Sequence, residues 1–87
     1  MFLETMNIIL YTKTGCPWCA GVLKLFREKN VLFEEREVLG NPEYFKELVQ
    51  KSGQTKTPTL DIDGHIIADS DADAVSAYLH EQNVSGF

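Results

Sequence analysis

The sequence predicts an α/β fold: one mixed four-stranded sheet with three helices, in the order βαβαββα. Three observations predict it. An apolar run near the N-terminus, a helix-spaced apolar stripe and a second apolar-led run form a βαβ unit, whose crossover is right-handed and whose strands are parallel. A turn dipeptide, Asp63-Gly64, separates two short alternating runs, as in an antiparallel hairpin. Two further stretches begin with helix-capping residues and carry apolar side chains at helical spacing.

The elements follow in order. Asn7 to Thr12 contains Ile8, Ile9, Leu10 and Tyr11 in sequence. A short unbroken run of this kind reads as a strand buried on both faces. Lys13-Thr14-Gly15 is a loop. Cys19, Val22, Leu23 and Phe26 then recur at helical spacing, so a helix runs from about Pro17 to about Lys29. Proline suits the first turn, where its missing N–H has no partner to lose. Cys16 then stands at the N-cap. Leu32 to Val38 is the second strand, with weaker alternation. Asn41-Pro42 starts the next helix, Phe45, Leu48 and Val49 give it an inner face, and Gly53 ends it. After Pro58, the run Thr59 to Asp63 alternates Leu60 and Ile62 with Asp61 and Asp63, and His65 to Ala68 returns. Ser70 caps the last helix, with Asp71 and Asp73 in its first turn, where acids suit the positive end of the dipole. Ala74, Val75, Tyr78 and Leu79 face inward.

Bulk composition excludes several classes. The 87 residues fit a single domain spanning 1–87, with the first six read as a frayed tail and Met6 as an alternative start. The apolar share is 44% and the charged share 24%, ordinary for a globular domain. No apolar run approaches the roughly 20 residues that cross a bilayer. Nor does the N-terminus read as a secretory signal. A net charge of −5 argues against a nucleic-acid or anionic-membrane partner. The two cysteines are too few and too close for a disulfide-stapled secreted protein. A cytoplasmic location is therefore expected, where a close cysteine pair reads as redox or metal chemistry.

The chemistry centres on Cys16-Pro17-Trp18-Cys19. A cysteine at a helix N-terminus meets unpaired N–H groups and the positive dipole end, which favour the thiolate. Lys13 adds positive charge nearby, though it also fits as an ordinary surface lysine. Cys16 is thus the expected nucleophile. Cys19, one turn further in and on the apolar stripe, is the resolving thiol that attacks a mixed disulfide at Cys16. Spacing by three puts both sulfurs within bridging reach. Zinc would need four ligands, and His65 and His80 are the remaining soft partners, at a separation that fits no common ligand spacing. Two inert buried cysteines would suit Cys19 but not Cys16, between Gly15 and Pro17. Trp18 reads either as a packing residue or as an exposed surface against which a substrate lies.

The segment Tyr11-Thr12-Lys13-Thr14-Gly15-Cys16-Pro17-Trp18-Cys19 resembles the active site of the glutaredoxin family. The Thr57-Pro58 step and the Asp69-Ser70-Asp71 turn extend the resemblance, which runs from about Asn7 to about Leu79. It implies a thioredoxin-like fold and a dithiol glutaredoxin. It also implies a glutathione-dependent thiol–disulfide oxidoreductase that acts on protein disulfides and glutathione mixed disulfides. The implied reduction potential is about −200 to −230 mV. Pro58 is implied to be cis and to pack beside the nucleophile; on the residues alone it equally begins an edge strand. Thr57 is implied to pair through its backbone with the cysteine part of glutathione. Ser70 and Asp71 are implied to hold the γ-glutamyl end, although both also fit as caps of their own helix. Lys13 is implied to pair with the glycine carboxylate, and Trp18 to flank the ligand. Glutathione is the co-substrate, no metal is expected, and the partners are disulfide-containing or glutathionylated proteins. A monomer is expected.

The sequence departs from the family pattern in three places. Trp18 stands where tyrosine is usual, Lys56-Thr57 where Thr-Val is common, and Ala68-Asp69 where Gly-Gly is common. Asp69 brings negative charge to the expected glutathione site, and Lys56 brings positive charge near it. These changes motivate an alternative, a glutaredoxin-like thioredoxin reduced by a flavoprotein reductase. A second alternative is a glutaredoxin that binds an iron–sulfur cluster between two subunits, which Pro17 disfavours by stiffening the loop.

Overall fold

The structure is a computed structural model that describes residues 6–87. Its elements are β1 (Ile8–Thr12), α1 (Pro17–Glu28), β2 (Glu34–Glu37), α2 (Pro42–Ser52), β3 (Thr59–Ile62), β4 (His65–Ile67) and α3 (Ala72–Glu81). The expected order βαβαββα is the observed one. The strands lie in the order β2-β1-β3-β4. β1 runs parallel to β2 and antiparallel to β3, and β3 is antiparallel to β4.

β1 is central, and its alternate side chains serve both faces of the sheet. Ile8 and Leu10 join Leu60 and Ile62 of β3, Val22 and Phe26 of α1, and Val75 and Leu79 of α3 in the larger core. Tyr11 points the other way and packs with Val38 and Leu48 of α2 in a smaller one. Two helices thus cover one face and α2 the other. Met6, read with the tail, is half-buried against the larger core; the rest of that expectation lies outside the described residues.

Four local expectations are corrected. β2 is shorter than Leu32–Val38, because it is an edge strand paired only over Glu34–Glu37, and Leu32 is exposed. The inner face of α2 is Tyr44 and Leu48, while Phe45 and Val49 are exposed. Tyr44 is fixed inward by Arg36, whose guanidinium lies 5.3 Å from its ring. The N-cap of α3 is Asp71, not Ser70. Asp69 turns the chain at a φ of 49° and the Ser70 N–H donates to the Pro58 carbonyl at 2.8 Å. Ser70 is thereby tied to the sheet and α3 begins one residue later. Ala74 is consequently exposed, and Ala72 and Ser76 are half-buried in its stead.

Other features follow expectation. Pro17 and Pro42 open their helices. Gly53 ends α2 at a φ of 71°, a conformation that glycine adopts without a Cβ penalty. Asp63 and Gly64, both at positive φ, make the two-residue turn of the β3–β4 hairpin.

Candidate active site

The register of the sheet assembles the site. Tyr11 pairs with Thr59 in the antiparallel β1–β3 ladder. The chain leaving β1 toward Cys16 therefore passes the chain entering β3 through Thr57 and Pro58. The Thr57-Pro58 peptide is cis and Pro58 is fully buried. Leu60 pairs with Ile67 across the hairpin, so the segment after β4 returns to the same end, where Ser70 meets the Pro58 carbonyl. Cys16, Thr57, Pro58 and Ser70 thus converge although far apart in sequence.

Cys16 is the N-cap of α1, with extended φ and ψ of −84° and 113°. Its Sγ accepts the Cys19 backbone N–H at 3.2 Å. This is the arrangement of a capping side-chain oxygen, with sulfur in its place. The Thr57 hydroxyl donates to the same Sγ at 3.7 Å, and the Thr57 carbonyl oxygen lies 3.8 Å away. Cys16 is half-buried and Cys19 is 2% exposed. Both are free thiols.

The two sulfurs differ in acidity for identifiable reasons. Burial opposes ionisation of Cys16. Hydrogen bonds from the Cys19 thiol and N–H, from Thr57 and from the Trp18 backbone outweigh it, and the thiol titrates below its ordinary value. Burial pushes Cys19 up to about 11, and its hydrogen bond to Cys16 acts in the same direction. One turn of helix thus holds a sulfur prepared to ionise above one kept protonated.

One cleft borders Cys16 and a second borders Pro17 and Trp18 beside it. The first, of about 350 Å³, is lined by Lys13, Thr14, Cys16, Leu23, Glu35 and Glu37. The two glutamates were not anticipated as site residues. The Glu37 carboxylate accepts the Thr14 N–H at 2.8 Å and the Gly40 N–H at 2.7 Å, and so braces the loop before Cys16. The Thr12 hydroxyl donates to Glu35 at 2.8 Å. A charged strand paired beside the cysteine loop was the available signal, since Thr12 pairs with Glu37. The other cleft, about 260 Å³, brings Pro17 and Trp18 together with Gly21 and the start of α3, Asp71 to Asp73. Trp18 is 63% exposed, so it is a surface and not a packing residue. One Asp71 carboxylate oxygen accepts the Ala74 N–H at 2.8 Å. Asp69 faces Lys56 across 3.9 Å, with both side chains mostly exposed. An ion pair so exposed contributes little.

Among the described residues, no group of three or more His, Cys, Asp or Glu is placed to hold a metal ion. No helix among them is long and apolar enough to cross a membrane.

Comparison with known proteins gives a consistent result. The family model described as Glutaredoxin matches residues 8–67. Glutaredoxin 3 of Escherichia coli (strain K12) is 35% identical over 65 residues, 75% of this chain and 78% of that protein. Glutaredoxin 1 of Rickettsia felis is 42% identical over 68 residues, 76% of this chain and 67% of that one. Among solved structures, the thioredoxin-like protein BC3987 superposes with a TM-score of 0.75 at 28% identity, over 82% of this chain and 97% of the other. A buckwheat glutaredoxin–glutathione complex shares the fold at a TM-score of 0.66 and 24% identity, over 91% and 72%.

Proposed function

The chain belongs to the glutaredoxin family of thiol–disulfide oxidoreductases, and from that premise we propose that it uses glutathione to reduce protein disulfides and glutathione mixed disulfides. Cys16 is the nucleophile. Its thiolate attacks one sulfur of the substrate disulfide, a Cys16–substrate disulfide forms as the substrate bond breaks, and the other sulfur leaves as a thiolate that takes a proton from water. In a protein mixed disulfide, Cys19 then attacks the Cys16 sulfur, forms the Cys16–Cys19 disulfide and expels the reduced protein. In a glutathione mixed disulfide, a second glutathione attacks the glutathione sulfur, and Cys16 leaves as a thiolate as glutathione disulfide forms. Further glutathione returns the enzyme to the dithiol and leaves as glutathione disulfide.

The observation that carries this reading is the Cys16 sulfur on the N-cap, accepting N–H and hydroxyl donors, above a buried Cys19. Glutathione fits the surroundings. The Thr57 backbone lies beside the sulfur for its cysteine, Lys13 lines one cleft for its glycine carboxylate, and Trp18 and Asp71 border the other for its γ-glutamyl end, with Ser70, next to Asp71 in the chain, completing that end. The partners are glutathione and disulfide-containing or glutathionylated proteins, met by a monomeric, single-domain, cytoplasmic protein.

Two variants test the mechanism. Cys16→Ser abolishes all turnover. Cys19→Ser still removes glutathione from substrates but no longer reduces protein disulfides. Full activity in Cys16→Ser would refute the reading.

A second reading keeps the chemistry and takes electrons from a flavoprotein reductase. It is favoured by the Asp69–Lys56 pair at the expected glutathione site and by the likeness to a thioredoxin-like protein. Turnover with thioredoxin reductase but none with glutathione and its reductase selects it.

A further inference from the structure

The residue before the cis proline offers Cys16 two different groups. The Thr57 carbonyl oxygen lies 3.8 Å from Sγ and the Thr57 hydroxyl 3.7 Å from it. A carbonyl only accepts, so it suits the protonated thiol, which donates S–H to it. A hydroxyl also donates, and a donor aimed at sulfur favours the thiolate, because hydrogen bonds to ionised acceptors are roughly twice as strong as neutral ones. We propose that the Thr57 side-chain hydroxyl, as distinct from its backbone, is a donor that selects the ionised form of the Cys16 sulfur and so sets the pH at which the nucleophile becomes active.

The surroundings support this contact. Thr57 is half-buried beside the fully buried Pro58, so its side chain is held by a fixed backbone. Its hydroxyl has Sγ as its hydrogen-bond partner, whereas the neighbouring threonine, Thr59, turns its own hydroxyl to the Lys56 carbonyl at 2.8 Å. The same donor also acts on the leaving sulfur. When glutathione attacks the glutathione sulfur of a Cys16–glutathione disulfide, Cys16 departs as a thiolate, and a hydroxyl already in place stabilises the charge as it develops. An aliphatic residue of the same shape would keep the carbonyl and lose this donor.

The inference rests on Cys16 being the nucleophile, and the test separates the two. The rate of iodoacetamide alkylation at Cys16 is followed against pH in the reduced 87-residue chain, with the labelled position assigned by mass spectrometry. Thr57→Val, which is isosteric, moves the midpoint of the profile upward by about one pH unit. Thr57→Ser restores it. Thr57→Ala gives the same upward displacement without added bulk, and circular dichroism of all three verifies the fold. A midpoint in both Thr57→Val and Thr57→Ala equal to that of the unaltered protein overturns the role of the hydroxyl and leaves Cys16 as the nucleophile. If instead Cys16 of the unaltered protein reacts no faster at neutral pH than the same thiol in the denatured chain, the nucleophile assignment fails and this inference fails with it.

Discussion

Cys16 and Cys19 are the same residue type one helical turn apart, yet their surroundings drive their proton affinities in opposite directions. The first accepts donors at the open end of α1, and the second lies beneath it in an apolar setting. The pH consequences have opposite signs. Cys16 titrates below the ordinary thiol value when folded. Its contribution to the stability of the reduced protein is complete above that ordinary value, and is lost as pH falls through the lowered one. Cys19 is raised to about 11. Its contribution is complete below the ordinary value, and is lost as pH rises toward about 11. Accordingly, iodoacetamide at neutral pH labels Cys16 and spares Cys19, and urea unfolding of the reduced protein loses part of its alkaline decline in Cys19→Ser. Equal labelling of both cysteines contradicts the assignment. Sequence spacing identified this pair because one turn of helix is enough to relate them. The Thr57 hydroxyl was not legible, because nothing local says which way the side chain before Pro58 points.

At the scale of elements, capping and phase were read with different success. Proline at the start of α1 and α2, and Gly53 at the end of α2, act locally and were readable. The cap of α3 was misplaced by one residue, since Ser70 and Asp71 are both good N-caps and the choice was made by the Ser70 bond to Pro58. That shift makes Asp71 the cap, and the proposed glutathione site would give it a second, separable duty. Asp71→Ala removes the bond to Ala74 and destabilises the protein by about 1 kcal/mol in urea unfolding. Asp71→Asn keeps a cap and removes the charge. It therefore leaves stability nearly unchanged while raising the KM for glutathione. An unchanged KM removes Asp71 from the ligand site and leaves it as a cap. The phase of α2 was likewise decided by partners. Glu47 accepts from buried Tyr11 at 2.9 Å and pairs with Arg36, which turns Tyr44 and Leu48 inward and leaves Phe45 and Val49 outside. Periodicity alone cannot separate such adjacent stripes when both are apolar.

For the whole molecule, the single sheet is both scaffold and assembler. Its central strand supplies Leu10 to one core and Tyr11 to the other, so damage there is felt on both faces. Leu10→Ala is expected to cost about 2–5 kcal/mol in urea unfolding, whereas Phe45→Ala, on the exposed side of α2, stays within about 0.5 kcal/mol. A cost at Phe45 matching that at Leu10 would show the α2 phase to be wrong. The sequence by itself determined the element order, the hairpin turn, the proline-led helices and the cysteine pair, because each depends on residues within a few positions of one another. Only the tertiary structure decided which strand lies in the middle, which acids border the nucleophile and which hydroxyl reaches it. Those depend on pairing between segments far apart in the chain, and a ladder register of Tyr11 opposite Thr59 is a property of two strands together that neither strand encodes alone.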